Sequence, residues 1–139
     1  MPISLTIPMF LPTTLALAAA AAIINIWLMI RIGQIRGKTG IFVGDGGNDL
    51  LGRRMRAQAN FIENAPITLI LVAAVELTGK GSWWLSIVGA VFMLGRVAHG
   101  VGMDGGTFKA GRMVGALTAM VIQLGLAIFA LTIALRYHP

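Results

Sequence analysis

The sequence predicts an all-α integral membrane protein, built as a bundle of four transmembrane helices. Of its 139 residues, 57% are hydrophobic and only 12% are charged, whereas about 25% charged residues is usual in soluble domains. The apolar residues form four long runs separated by polar, glycine-rich segments, and the length allows about four spans of roughly 20 residues. We therefore expect a single membrane domain over residues 1–139, with helices at about 10–31, 50–78, 82–99 and 112–136.

The first predicted helix is an uncharged run from Phe10 to Ile30 that ends at Arg31. Its leader has no Lys or Arg and the apolar run is longer than a secretory signal requires, so we expect no cleavage. Asn25, its one deep polar residue, suits hydrogen bonding between helices. The polar segment that follows contains Gly44-Asp45-Gly46-Gly47, which predicts a tight turn, because a phosphate loop would need a preceding strand and a lysine.

The second predicted helix places a cation, an amide and an anion on one face. Arg56, Asn60 and Glu63 fall within an arc of about 60° at 3.6 residues per turn. A carboxylate that faced lipid at the depth of Glu63 would cost a few kcal/mol, so we expect it to face the bundle interior or another subunit. Pro66 removes a backbone donor and predicts a kink just below Glu63. Glu76 and Lys80, spaced i, i+4, are expected to form a solvated ion pair near the opposite interface.

The third and fourth helices carry signals for the membrane interface and for close packing. Trp83 and Trp84 suit the headgroup level at the start of the third helix, which continues to about His99. The fourth helix contains small residues at intervals of four that favour close helix contact: Gly111, Gly115 and Ala119. Gln123, its lone deep polar residue, is expected to make hydrogen bonds between helices.

The distribution of Lys and Arg predicts the orientation in the membrane. Nine of these residues lie in or beside the two long connections and two lie on the opposite side, so the positive-inside rule places both long loops in the cytoplasm and both termini outside. This pattern accounts for the net charge of +6, and we expect no nucleic-acid partner. The chain has no cysteine, which excludes disulfides, a thiolate of its own and a cysteine-ligated metal.

Two interpretations of Glu63 follow from the residues alone. It could pair with one arginine and lock the bundle, as buried ion pairs elsewhere do. Alternatively, the excess of cations at this end leaves room for a ligand with several negative groups. Glutathione is such a ligand: its carboxylates suit arginines, its ammonium suits Glu63, its amides suit Asn60, and a nearby cation favours its thiolate. The candidate cations are Arg31, Arg36, Arg56, Arg96 and Arg112.

The motif Arg56-Ala57-Gln58-x-Asn60-x-x-Glu63-x-x-Pro66 resembles the signature of the MAPEG family, the membrane-associated proteins in eicosanoid and glutathione metabolism. The glycine-rich turn at 44–47 and Gly95-Arg96-x-x-His99-Gly100-x-Gly102 are similar to the bacterial branch of that family. The resemblance covers nearly the whole chain. It implies a homotrimer in the bacterial inner membrane that binds glutathione between subunits and needs no metal. Glutathione would be the co-substrate, either for conjugation to lipophilic electrophiles or for the reduction of hydroperoxides.

The resemblance also implies which residues hold glutathione. Arg56, Asn60 and Glu63 would bind it, Gln58 would help from the adjacent subunit, and an arginine near the end of the first helix, either Arg31 or Arg36, would add a contact. The position of Gln58 about 160° from Asn60 on the helix agrees with a contribution from a second subunit.

The sequence departs from the eicosanoid-forming relatives at the group that would stabilise the thiolate. Those relatives carry tyrosines where this chain has Asn64, Val97 and Val101, and Tyr137 is at the opposite end. Arg112 or Arg96 would have to take that role, while His99 at a helix end is more typical of a capping or packing group.

Three functions are compatible with these observations. The first is a membrane-bound, glutathione-dependent transferase or peroxidase, and the second is a non-catalytic MAPEG-like binding or accessory subunit of a larger membrane complex, which the missing tyrosines favour. The third, a small proton-coupled exporter, is disfavoured because the first, third and fourth spans contain no acid that could lie on a transport path.

Overall fold

The computed structural model describes residues 10–137. These residues form four helices that are long and apolar enough to cross a membrane: α1 (Pro12–Thr39), α2 (Asp49–Leu77), α3 (Trp83–Gly102) and α4 (Ala110–Tyr137). A short 3-10 turn, Gly106–Phe108, precedes α4, and the described range contains no strand. The predicted all-helical, four-span fold is confirmed. The expectation that the leader is retained concerns residues 1–9, which lie outside the described range.

The first helix is longer than the sequence pattern predicts, because it continues past Arg31 to Thr39. The segment Ile32–Lys38 contains two glycines that weaken a helix without ending it. The helix ends at Gly40, which has a left-handed backbone (φ 70°) and donates its N–H to the Arg36 carbonyl, the usual glycine stop. With 28 residues, α1 is about 42 Å long, so its last turns extend beyond a hydrocarbon core of about 30 Å.

The connection from α1 to α2 is a tight glycine turn, as predicted. Gly44, Gly46 and Gly47 all have positive φ angles, which side chains with a Cβ rarely adopt. Asn48 then starts α2 by accepting a hydrogen bond of 2.9 Å at Oδ1 from the Leu51 N–H, a standard N-terminal cap. The helix continues through Pro66 to Leu77.

The α3–α4 contact is the most extensive in the bundle. Gly111, Gly115 and Ala119 are all buried, and a Cβ atom added at Gly115 would collide with the Gly95 carbonyl oxygen and with His99. The predicted role of the small residues in close packing is confirmed. Helices α2 and α3 each pack against all three other helices, and the core contains the fully buried residues Leu28, Val72, Val75, Leu85 and Phe92.

The two long connections lie at the same end of the bundle, which we call the loop end, and the α2–α3 connection lies at the far end. At the far end, Glu76 accepts hydrogen bonds of 2.8 Å from the backbone N–H groups of both Thr13 and Thr14. Its carboxylate therefore caps the first turn of α1. The expected pairing of Glu76 with Lys80 is wrong, and the Lys80 ammonium lies 6.0 Å from the centre of the Tyr137 ring.

Candidate functional site

At the loop end, one carboxylate joins two helices to the α3–α4 connection. Asp104 accepts hydrogen bonds of 3.1 and 2.9 Å from Nε and Nη2 of Arg54, and its Oδ2 lies 2.5 Å from Nη2 of Arg31. Arg31 also donates to the Gly100 carbonyl (2.8 Å), and its guanidinium lies 4.7 Å from the centre of the Trp27 ring. A bidentate arginine with a second cation is among the stronger ionic arrangements in proteins.

The two arginines also determine how Asp104 titrates. Its partial burial alone would raise the pKa of the carboxyl, but the hydrogen bonds and charges of Arg54 and Arg31 outweigh burial and hold the pKa below its ordinary value of 3.8. Asp104 is therefore ionised at neutral pH. It is the anion that locks the bundle, the role that one sequence interpretation gave to Glu63.

Glu63 lies on the outer face of the chain and not inside the bundle. Arg56 and Glu63 are both exposed, and Asn60 between them is partly buried. The three ion pairs among the described residues involve Asp104 twice and Asp49 once, so none of them includes Glu63. Of the two expectations for Glu63, the bundle interior is wrong. A surface carboxylate at this depth needs a partner from outside the chain.

Asn60 is held in place by Arg96 of α3. The Arg96 guanidinium is buried, with 2% of the residue exposed, and Nη1 donates 2.7 Å to Asn60 Oδ1 while Nη2 donates to the Gly115 carbonyl. Arg96 Nε has no partner among residues 10–137. Asn60 Oδ1 thus already accepts one hydrogen bond, and the donor that Asn60 can offer to a ligand is its Nδ2 group.

The other predicted site residues lie in different surroundings. Gln58 points towards α1 and donates 3.3 Å to Asn25 Oδ1, and Arg36 donates to the carbonyls of Ile41 (2.9 Å) and Gly44 (3.1 Å). Arg112 is exposed at the start of α4. The structure thus brings Asn60 and Arg96 together. Arg31 and Arg36 each contact other residues at the loop end.

A second polar cluster continues from Asn60 deeper into the bundle. Asn64 Nδ2 donates 2.7 Å to the Asn60 carbonyl, and Thr68 Oγ1 donates 3.0 Å to the Asn64 carbonyl. From α4, Gln123 Nε2 donates 3.0 Å both to the Asn64 carbonyl and to Thr68 Oγ1. The expectation that Gln123 bonds between helices is confirmed, and so is the same expectation for Asn25 through its contact with Gln58.

Sequence reasoning missed Asp104 and the cluster around Asn64. Asp104 lies in a glycine-rich loop, where an acid is usually solvated, so its partners were not apparent. One signal for such a pairing was available in the sequence. Six Lys and Arg residues lie in or beside the first connection, and the chain has only five acids that could pair with them. Asn64 and Thr68 were predictable in principle, because they follow Asn60 at spacings of four on one helix face.

A bundle of four membrane-length helices with charged side chains on its outer face defines a small multi-pass membrane protein. The chain belongs to the MAPEG family, whose sequence pattern matches residues 14–132. The resemblance inferred from the second-helix motif is confirmed.

Two curated relatives carry the same name in two strains of one bacterium. The chain is 27% identical over 92 residues to the inner membrane protein YecN of Escherichia coli strain K12, covering 66% of this chain and 70% of the relative. The values for YecN of Escherichia coli O6:H1 strain CFT073 are the same. This similarity supports the bacterial inner membrane as the location of the chain.

Proposed function

We propose that the protein is a glutathione-dependent transferase or peroxidase that acts on lipophilic electrophiles in the bilayer. The observation that carries the proposal is the outer face of α2, where Arg56 and Glu63 are exposed on either side of Asn60. Exposed charges at membrane depth are expensive unless they meet opposite charges. A zwitterionic peptide with two carboxylates and one ammonium supplies those charges.

Each part of glutathione has a candidate partner on this face. Glu63 would receive the ammonium, Arg56 would receive a carboxylate as a bidentate pair, and Asn60 Nδ2 would donate to a carbonyl or carboxylate oxygen. Arg96 would act as a positioning residue, because it is buried and fixes the Asn60 amide. Family membership supports this assignment.

The thiolate would be stabilised by Arg112 in preference to Arg96. Arg112 is exposed, so a ligand can approach its guanidinium, whereas that of Arg96 is buried and already donates two hydrogen bonds. A nearby cation increases the thiolate fraction and therefore the rate of attack. In conjugation the thiolate sulfur bonds to an electrophilic carbon and expels the leaving group. In peroxide reduction, two glutathione thiols become one disulfide while the hydroperoxide becomes an alcohol and water.

A second copy of the chain would complete this site. Glu63 lies on the outer surface of one chain, so glutathione bound there would be covered on one side only. A homotrimer, as in the family resemblance, would bury the exposed face, and Gln58 of a neighbour would reach the ligand only if its amide turned away from Asn25 of α1.

The alternative is a non-catalytic binding or accessory subunit of a larger membrane complex. The sequence has a single tyrosine, and Tyr137 lies at the far end beside Lys80, away from Arg56 and Glu63. No tyrosine hydroxyl can therefore assist a thiolate at the loop end.

Glutathione binding and turnover separate the two functions. Purified protein in detergent is titrated with glutathione and then assayed with an activated aryl halide and a lipid hydroperoxide, beside Arg56→Ala and Glu63→Gln. Arg136→Ala is the matched control, because Arg136 is also exposed but lies at the far end of α4. Binding and turnover that both weaken in the two site variants support the enzyme, binding without turnover supports the accessory subunit, and no binding overturns the glutathione proposal.

A further inference from the structure

The α3–α4 connection, residues 103–109, is tied to the rest of the bundle by the side chain of Asp104. Among the contacts within residues 10–137, no other side chain of this connection makes a hydrogen bond or an ion pair with another helix. Its partners are Arg54 on α2 and Arg31 on α1. The backbone hydrogen bonds of the connection join groups within four residues of each other, so they do not attach it to α1 or α2.

Arg112 follows this connection directly, in the first turn of α4, which begins at Ala110. A Cβ atom added at Gly102 would collide with the backbone nitrogen of Arg112, and one added at Gly111 would collide with the Phe108 ring. The end of α3 and the start of α4 therefore meet backbone to backbone. None of the ion pairs within residues 10–137 includes the Arg112 guanidinium. The backbone of the connection thus decides where this guanidinium lies.

Arg112 lies at the level of the proposed glutathione face. Arg96 donates hydrogen bonds both to Asn60 on α2 and to the Gly115 carbonyl on α4, which fixes the level at which the two helices face each other. Arg112 is three residues from Gly115, and Arg56 is four residues from Asn60, both towards the loop end. These separations are about 4.5 and 6 Å along the helices, so the two guanidinium groups belong to the same layer of the bundle.

We propose that Asp104 is a positioning residue: by anchoring the α3–α4 connection to α1 and α2, it holds the Arg112 guanidinium beside the thiol of bound glutathione. The inference deepens the proposed function and rests on it, including the role given there to Arg112. In this role Asp104 touches neither the peptide nor the electrophile, and it acts only through the start of α4.

Removing the Asp104 carboxylate has two effects of opposite sign on the bound thiol. The loss of a negative charge would by itself favour the thiolate and lower the thiol pKa. Displacement of Arg112 would remove a cation from the thiolate and raise the thiol pKa. The direction of the change in Asp104→Asn therefore separates a positioning role from a purely electrostatic one.

We expect Asp104→Asn to raise the pKa of the bound thiol by about 0.5 to 1, which makes the thiolate fraction near neutral pH smaller by roughly threefold to tenfold. The kcat for conjugation should fall by the same factor, because the thiolate is the nucleophile. The KM for glutathione should stay within about twofold, since the proposed binding residues Arg56, Asn60 and Glu63 are all on α2, outside the connection.

The measurement uses the full chain in detergent. Glutathione binding is first confirmed by calorimetric titration, the ultraviolet absorbance of the thiolate is then followed against pH, and kcat and KM are determined with an activated aryl halide. Asp49→Asn is the matched control, because it removes the same charge at the loop end from a side chain that is 82% exposed and pairs with Arg53. This control should leave the thiol pKa unchanged or slightly lower.

Two further variants test whether the effect passes through Arg112. Arg112→Met should raise the thiol pKa, and adding Asp104→Asn to it should produce no further increase, because no guanidinium remains to be positioned. Phe108→Ala loosens the same connection beside Gly111 without changing its charge. It should raise the thiol pKa in the same direction, and it serves as the test if Asp104→Asn does not fold.

An unchanged or lowered thiol pKa in Asp104→Asn would overturn the role of Asp104 while leaving glutathione binding intact. An increase of the same size in the presence of Arg112→Met would overturn it as well, because the effect would not depend on Arg112. If Asp104→Asn does not fold, an unchanged thiol pKa in Phe108→Ala is the contradicting result. No glutathione binding by the wild type would overturn the proposed function, and this inference with it.

Discussion

Arg96 of α3 donates a hydrogen bond of 2.7 Å to Oδ1 of Asn60 on α2. This bond joins a buried cation to a residue on the outer charged face, and it leaves the Asn60 Nδ2 donor for a ligand. Arg96 therefore affects two properties that can be measured separately. One is the stability of the bundle, and the other is the direction in which Asn60 presents its amide.

Removing both partners should reveal how much this bond contributes to stability. We expect Arg96→Met and Asn60→Ala each to lower the free energy of unfolding, with a coupling energy of about 1 to 2 kcal/mol in the double variant. Reversible unfolding in mixed micelles provides the measurement. Effects that add within about 0.3 kcal/mol would mean that the two residues do not act together.

Asp104 should make the stability of the bundle sensitive to acid. Its pKa in the folded chain is below the ordinary value of 3.8 because Arg54 and Arg31 favour the ionised form. A depressed folded pKa contributes stability above the unfolded pKa, and that contribution is lost as the pH falls through the folded value. We expect the melting temperature of the wild type to decline below about pH 4 more steeply than that of Asp104→Asn.

The matched control for this prediction is Asp49→Asn. Asp49 pairs with Arg53 at 2.7 Å, but its side chain is 82% exposed, and such pairs contribute about 0.5 kcal/mol or less. At pH 7, Asp104→Asn should cost about 2 kcal/mol, since it weakens two arginine contacts. Similar losses in the two variants would show that Asp104 does not lock the bundle.

The two glutamates of α2 should have separable effects. Glu63→Gln should leave stability within about 0.5 kcal/mol, as expected of an exposed position, while weakening glutathione binding by about tenfold or more. Glu76→Ala should cost about 1 to 2 kcal/mol, because it removes the cap of α1, with no change in glutathione affinity. Calorimetric titration and thermal unfolding of both variants give the four values. A loss of affinity in Glu76→Ala equal to that in Glu63→Gln would contradict this separation.

Two glycines of α4 should respond oppositely to the same substitution. A Cβ at Gly115 would meet the Gly95 carbonyl and His99, whereas nothing lies within 4 Å of the position at Gly125. Gly115→Ala should therefore destabilise by about 1 to 3 kcal/mol through overpacking, and Gly125→Ala should be neutral or stabilising by up to about 1 kcal/mol. Thermal unfolding in detergent compares them, and equal melting temperatures would contradict the packing of α3 on α4.

Most of the fold was predictable because hydrophobic runs and their glycine boundaries are local signals. The end of α1 was not, since the polar residues after Arg31 resemble a loop by composition. The left-handed backbone at Gly40, which stops the helix, cannot be distinguished in the sequence from other glycines such as Gly33 and Gly37.

The candidate site was predictable in its residues more than in its contacts. The helical arc of Arg56, Asn60 and Glu63 follows from spacing along one helix, and the structure retains it on one face. The partners of Asp104 and Glu76 were not predictable, because they lie 50 to 73 residues away for Asp104 and 62 or 63 residues away for Glu76. Contacts between distant segments depend on how the helices are arranged.

The pairing of Asp104 with Arg31 and Arg54 also has a consequence for the order of assembly during synthesis. The two arginines belong to the first helical hairpin, and Arg54 already contacts the Arg31 carbonyl at 2.8 Å. Their shared anion is translated 50 residues after Arg54. Until the third helix has entered the membrane, the hairpin of α1 and α2 holds two neighbouring positive charges without their counter-ion, so the bundle is completed at this end only when the α3–α4 connection arrives.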